Sequence, residues 1–223
     1  MITVHHLENS RSQRTLWMLE ALGVDYDIKR YSRDPATSLA PPELKAVHPL
    51  GKSPVITDGD ITVAESGAIV EYLMEQYSGG KLQPADTPEA RRDYTYWLHY
   101  AEGTMMPLLI IALLLRRVDE AKVPFFVKPI ARGITGKLRE AYLDRNLAAN
   151  MKFMESTLAD RLWFTGDHLT AADIHMSFIL EGLNVSTDLE SDFPNMAACL
   201  KRCHDDKNYQ RAIERGGPFH LGG

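Results

Sequence analysis

A small α/β domain followed by an all-helical bundle domain is the fold class that this 223-residue sequence predicts. Three observations carry the prediction. Strand-like and helix-like patterns alternate through residues 1–79. A polar stretch with glycines and prolines, SGGKLQPADTP at residues 78–88, has the composition of a linker. Beyond it the apolar positions recur with a helical period only. The expected domains are therefore residues 1–79 and 88–223, with 80–87 between them.

Each element follows from local pattern. Residues 2–6 are a short β-favouring run. Residues 12–22 carry Leu16, Leu19 and Leu22 on one helical face, with Gly23 as the stop. Val24, Tyr26 and Ile28 alternate with Asp25, Asp27 and Lys29, the period of a half-buried strand. After the proline-containing stretch 34–42, residues 55–57 and 61–63 are strand-like, and Asp58-Gly59-Asp60 is a turn signal between them. Residues 66–77 are helical, with Ile69, Val70 and Leu73 apolar. The order is β-α-β, a loop, then β-β-α. In the second part, residues 89–118 read as one long helix bent near Pro107. The prolines at 124 and 129 break the pattern, 136–162 resumes it, and 170–184 and 195–215 supply two more helices. There is no internal repeat.

Composition narrows the functions. Apolar residues make up 44% and charged residues 25%, an ordinary globular mixture. The net charge is −5 with both signs interspersed, so nucleic acid is not an expected partner. Cys199 and Cys203 lie four apart in a helical tail with only His204 beside them, which predicts two reduced thiols and no metal. The N-terminus MITVHHLENSR lacks the charged and apolar regions of a signal peptide. The longest apolar run, PLLIIALLL at 107–115, is far shorter than the ~20 residues of a membrane span. A cytoplasmic protein with no membrane partner is the expectation.

Three features of the first domain can carry chemistry. Ser53-Pro54 stands at the mouth of a strand, where proline is tolerated. A cis bond there would turn the preceding main-chain groups toward an extended peptide, although only about 5–6% of X-Pro bonds are cis. Glu65-Ser66 falls where a helix begins. Free N–H groups and a serine hydroxyl suit a carboxylate there, and the glutamate suits an ammonium; a plain serine cap is the simpler alternative. The turn from Leu7 to Arg14 offers Asn9, Ser10 and Ser12. A hydroxyl there can favour a ligand thiolate, or merely cap the next helix.

Taken in order, HPLGKSPVI at 48–56, DGD at 58–60 and ESGAIVEYL at 65–73 resemble the glutathione-binding half of soluble glutathione transferases. The resemblance covers essentially the whole chain. It implies a thioredoxin-like first domain, with residues 41–46 as a short helix, and a helical second domain. Leu169-Thr-Ala-Ala-Asp173 resembles the family's helix-capping motif, with Thr170 as the cap and Asp173 reaching back. The segment VPFFVKPIA at 123–131 resembles a bacterial and fungal branch.

The resemblance further implies conjugation of the glutathione thiolate to small hydrophobic electrophiles. Glutathione is then the co-substrate, no metal is needed, and the assembly is a homodimer. Ser53 would offer its backbone to the cysteinyl unit before cis-Pro54. Glu65 and Ser66 would hold the γ-glutamyl end, and Lys52 the glycine carboxylate. Members activate the thiol with Tyr, Ser or Cys near the end of the first strand. No Tyr or Cys stands there; counting back four from Arg14, as in serine-type members, gives Ser10, with Asn9 and Ser12 as neighbours that could serve instead. His5 and His6 read as strand side chains rather than catalysts. Tyr96, Tyr100, Met105, Met106 and Phe219 are candidates for the electrophile pocket, and interdomain core is an equal alternative for each. A glutathione-dependent thiol-disulfide or peroxide reductase would share this site. So would an isomerase, although the serine- and cysteine-rich turn of the maleylacetoacetate isomerase branch is absent. A non-catalytic regulatory module is a third possibility.

Overall fold

The computed structural model describes residues 1–220. Its first part runs β1 (Ile2–Leu7), α1 (Ser12–Leu22), β2 (Tyr26–Tyr31), α2 (Leu44–Val47), β3 (Val55–Asp58), β4 (Ile61–Ala64) and α3 (Ser66–Tyr77). The four strands form one sheet in the order β2-β1-β3-β4. β1 pairs parallel with β2, from Ile2 opposite Tyr26 to Leu7 opposite Tyr31. β3 pairs antiparallel with both β1 and β4. The parallel pair requires a crossover, which α1 supplies. The β3–β4 hairpin turns at Gly59, whose φ of 57° suits a residue without Cβ. This is the βαβαββα order of a thioredoxin-like domain.

A helical domain follows: α4 (Pro88–Tyr100), α5 (Met106–Glu120), α6 (Lys128–Leu138), α7 (Asp144–Thr157), α8 (Ala171–Asn184), α9 (Leu189–Asp192), α10 (Pro194–Asp205) and α11 (Lys207–Gly216). Two wider π-helical turns, Ala101–Met105 and Arg139–Leu143, join α4 to α5 and α6 to α7. The helix expected over 89–118 is thus continuous from Pro88 to Glu120, but its irregularity precedes Pro107, which sits harmlessly in the first turn of α5. The helix expected from Gly136 begins earlier, at Lys128, because Pro129 occupies a first-turn position where its missing N–H is not needed. It ends at Thr157, short of Leu162. The helix expected over 195–215 is two: the Asp206 side chain accepts from the N–H groups of Asn208 and Tyr209 and starts α11 anew. The apolar run of Pro88–Glu120 is long enough to cross a bilayer, yet Trp97, Leu98, Met105 and Leu108 are core residues.

One hydrophobic core links the sheet, α1, α3 and the helical domain. Nine of the eleven residues of α1 are buried, because it lies between the sheet and α8 and α11. α8 is the central helix of the second part, with Ala171 to Ser177 buried without interruption. Its start is the capping box read from the sequence. The Thr170 N–H and hydroxyl both donate to Asp173, at 3.0 and 2.8 Å, and the Thr165 hydroxyl adds a third bond at 2.6 Å.

Candidate active site

The turn after β1 is built by its own polar groups. Asn9 takes a left-handed conformation, φ 48°, which asparagine tolerates. The Ser10 carbonyl accepts from the Gln13 N–H at 3.2 Å, and the Ser10 hydroxyl accepts from the Ser12 N–H at 3.3 Å. Two donors that the start of α1 would leave unpaired are thereby satisfied. A row of side chains runs inward from there. Ser10 Oγ lies 2.8 Å from Ser12 Oγ, which lies 2.8 Å from His6 Nδ1. Ser12 is fully buried and Ser10 stands at the outer end of the row.

The Ser53–Pro54 bond is cis. The Ser53 hydroxyl donates to the His5 carbonyl at 2.9 Å and accepts from the Leu7 N–H at 3.3 Å. It thus splices the Lys52–Pro54 loop onto the end of β1, next to the turn that carries Ser10. Lys52 is exposed and forms no ion pair among the described residues. Glu65, exposed, opens α3 in a left-handed conformation with φ 74°, an uncommon state for a residue with a side chain. Ser66 is buried. Its hydroxyl has no hydrogen-bond partner among the described residues and borders a small cavity with Arg14, Thr15 and His175.

Arg14 crosses from α1 into the helical domain. Its buried guanidinium donates to the His175 carbonyl at 2.6 Å and pairs with Glu102, which also takes Arg11 at 2.7 Å. Burial pulls Arg14 down to about 10 against the pull of Glu102, so it remains a cation at neutral pH. His175, fully buried beside Arg14, is held well below the usual histidine range and is neutral. The wide turn 101–105 is what carries Glu102.

The C-terminal segment closes one side. The His220 N–H donates to the Asn9 side chain at 2.9 Å, and the Phe219 ring lies 5.9 Å from that of Phe178 on α8. The Arg14 guanidinium sits 5.4 Å from the Phe178 ring centre. Phe219 therefore borders the Ser10 turn. Tyr100, Met105 and Met106 are buried in the core, with the Tyr100 hydroxyl donating to Asn150 at 2.5 Å. Tyr96 is half exposed in an aromatic group with Trp97, Tyr100 and Phe153. Sequence reasoning missed Arg11, Glu102, His175 and Phe178. Only the Arg11–Arg14 pair at the start of a helix left a trace, since the partner carboxylate lies 91 residues from Arg11.

Fold and site together define a class: a thioredoxin-like domain with a cis-proline loop beside a serine-bearing turn, packed against a helical domain. Known proteins agree. Residues 1–75 match the family model "Glutathione S-transferase, N-terminal domain", and residues 126–211 match "Glutathione S-transferase, C-terminal domain". Glutathione S-transferase 3 of Schizosaccharomyces pombe is 37% identical over 179 residues, 80% of this chain and 72% of that protein. Glutathione S-transferase 1 of Saccharomyces cerevisiae is 31% identical over 223 residues, 96% of this chain and 95% of that protein. The crystal structure of a glutathione S-transferase from Actinobacillus pleuropneumoniae superposes with a TM-score of 0.75 at 34% identity, covering 97% of this chain and 93% of that one. The chain belongs to the glutathione S-transferase family and is a glutathione transferase.

Proposed function

We propose that the protein joins the glutathione thiolate to small apolar electrophiles, with the sulfur at Ser10. The observation that carries this is the Ser53 hydroxyl bridging the His5 carbonyl and the Leu7 N–H. It ties the loop suited to an extended peptide to the turn suited to a thiolate. In this reading the Ser53 backbone pairs with the cysteinyl unit beside Pro54. Lys52 meets the glycine carboxylate, and Glu65 with the start of α3 receives the γ-glutamyl end. A free thiol near pKa 8.5 is mostly protonated at neutral pH, so its ionisation limits the rate. The N-terminus of α1, the Ser10 hydroxyl and the Arg11 guanidinium all favour the anion. The electrophile lies against Phe178 and Phe219 rather than against Tyr100 and Met105, whose burial commits them to the core. Residues 1–79 are the glutathione-binding domain and 88–223 the electrophile domain. The working form is a cytoplasmic homodimer.

The test combines retention on glutathione-agarose with the ultraviolet band of bound thiolate at neutral pH. Retention, a thiolate band and a loss of turnover of about tenfold or more in Ser10→Ala are expected. Retention without any thiolate band would reassign the protein as a binding module. Unchanged turnover in Ser10→Ala would remove the sulfur from that position.

A further inference from the structure

Three polar side chains come together where α1, α3 and α8 pack on one another. Arg14, Ser66 and His175 are 4%, 5% and 0% exposed. Arg14 spends one arm of its guanidinium on the His175 carbonyl and the other on Glu102, and its Nε–H has no acceptor among the described residues. The Ser66 hydroxyl and both ring nitrogens of His175 are also without hydrogen bonds among the described residues. His175 Nε2 is 3.6 Å from the Glu102 carboxylate, beyond a hydrogen bond. Buried polar atoms left in this way are costly, an N–H on a charged group most of all. All three side chains line one cavity of about 10 Å³, with Thr15, Ile69 and Ile174 among its other walls. That is the room of a single water molecule. The chemistry agrees with the size. Arg14 Nε–H can only donate, and a water accepts from it. The water's own hydrogens then suit the Ser66 oxygen and the bare nitrogen of the neutral His175 ring. A cation is repelled by the guanidinium, and a phosphate or carboxylate group is too large to enter.

We propose that this cavity binds one water molecule, which joins Ser66 of α3 to Arg14 of α1 and His175 of α8, so that the Ser66 hydroxyl serves the domain junction and Ser66 meets glutathione only through its main chain. The hydroxyl oxygen is closed off from solvent, and the residue lines the cavity. The γ-glutamyl carboxylate is left to the N–H groups in the first turn of α3, which helix geometry leaves unpaired. Side chain and main chain of one serine thereby face two different partners. The water ties the start of α3 to Arg14, whose pairing with Glu102 already crosses between the domains. The part of the inference that concerns glutathione rests on the placement of the γ-glutamyl end at α3.

Two measurements test this on the full-length protein. A high-resolution crystal structure should show one water within hydrogen-bond reach of both Arg14 Nε and Ser66 Oγ. Absence of that water, whether or not Arg14 and Ser66 then touch, overturns the proposal. The second measures dissociation constants by calorimetry in the parent and in Ser66→Ala. The ligands are glutathione and γ-aminobutyryl-cysteinyl-glycine, the analogue that lacks only the γ-glutamyl carboxylate. Ser66→Ala should weaken both by the same factor, within about twofold, because the lost hydroxyl touches neither. A larger loss for glutathione than for the analogue, about tenfold for a full bond to the carboxylate, would put the hydroxyl on the ligand and overturn the proposal. Equal affinity of the parent for the two ligands would remove the γ-glutamyl end from α3, and the premise would fall while the crystal structure still judged the water. The crystal structure needs no variant, so it decides even if Ser66→Ala does not fold.

Discussion

Lys52 and Asp173 show how differently two charged residues can serve one protein. Lys52 is solvated and free of ion pairs among the described residues, so its removal costs the fold little. If it meets the glycine carboxylate equally in ground and transition states, Lys52→Ala should raise KM for glutathione about tenfold and change kcat less than twofold. A kcat loss larger than the KM change, measured at saturating electrophile, would refute uniform binding. Asp173 is buried and accepts from both Thr170 donors and from Thr165. Burial raises its pKa, and the hydrogen bonds resist that rise. Asp173→Ala strands these donors and should lower stability by about 2–3 kcal/mol in urea unfolding. A change below about 0.5 kcal/mol would mean that the threonines find other partners.

At the scale of elements, the packing of α11 on α1 is the contact with least slack. A Cβ at Gly216 would meet Leu16 Cδ1 at 2.5 Å and Gln13 Oε1 at 2.9 Å, and both of those residues are buried. Gly216→Ala should push α11 outward, lower Tm by several degrees and weaken glutathione binding through the α1 turn. An unchanged Tm would show that Leu16 has an alternative rotamer. The elements differed in how legible they were. The hairpin and the α8 cap announced themselves, because Asp58-Gly59-Asp60 and Thr170–Asp173 settle their geometry through neighbours in sequence. The end of the helix from 195 did not: Asp206 looks like any polar helix residue until its carboxylate is seen capping α11. Within the candidate site the same division holds. Ser10, Ser53 and Ser66 came from local pattern and family spacing. Glu102 and Phe178 reach the site only through domain packing, and apolar periodicity marked Phe178 as one more core residue. His6, read as a strand side chain, is one, buried in β1 with its Nδ1 beside the Ser12 hydroxyl.

For the whole molecule, acid is the expected weakness. His5, His6 and His175 are all held below the usual histidine value by burial, with Lys29, Arg30 and Arg14 adding to it respectively. The unfolded chain binds protons at these positions near pH 6.5 while the folded chain refuses them, so acidification favours unfolding. Their contribution is fully present above about pH 6.5 and is lost progressively as the pH falls below it, in the case of His6 down to about 4. Each contributes a slope of up to about 1.4 kcal/mol per pH unit. His204, raised by Glu181 at 2.7 Å, works in the opposite sense, its stabilisation fading as pH rises through its raised value. A Tm that stays level between pH 6.5 and 4.5 would contradict this balance. The surface also bears on assembly. Tyr96, Phe153, Phe125 and Ile130 are exposed, more apolar surface than the helical domain needs for itself. Sedimentation at micromolar concentration should give a particle of about 50 kDa, twice the 25.1 kDa chain. A 25 kDa species there would count against the dimer.

The wide turn at 101–105 acts as a phase shifter in the long rod from Pro88 to Glu120. An α-helix advances about 100° per residue, and a π turn takes up one residue more than an α turn needs. Everything after Met105 is therefore rotated by about 100° from where a regular helix would aim it. Deleting one residue here would leave an ideal helix and a mistimed one. Trp97 and Leu108 could no longer point into the same core, and Glu102 would leave its arginines. The turn lets a single rod answer two partners, the thioredoxin-like half of the molecule and the rest of the bundle, without a break in its axis.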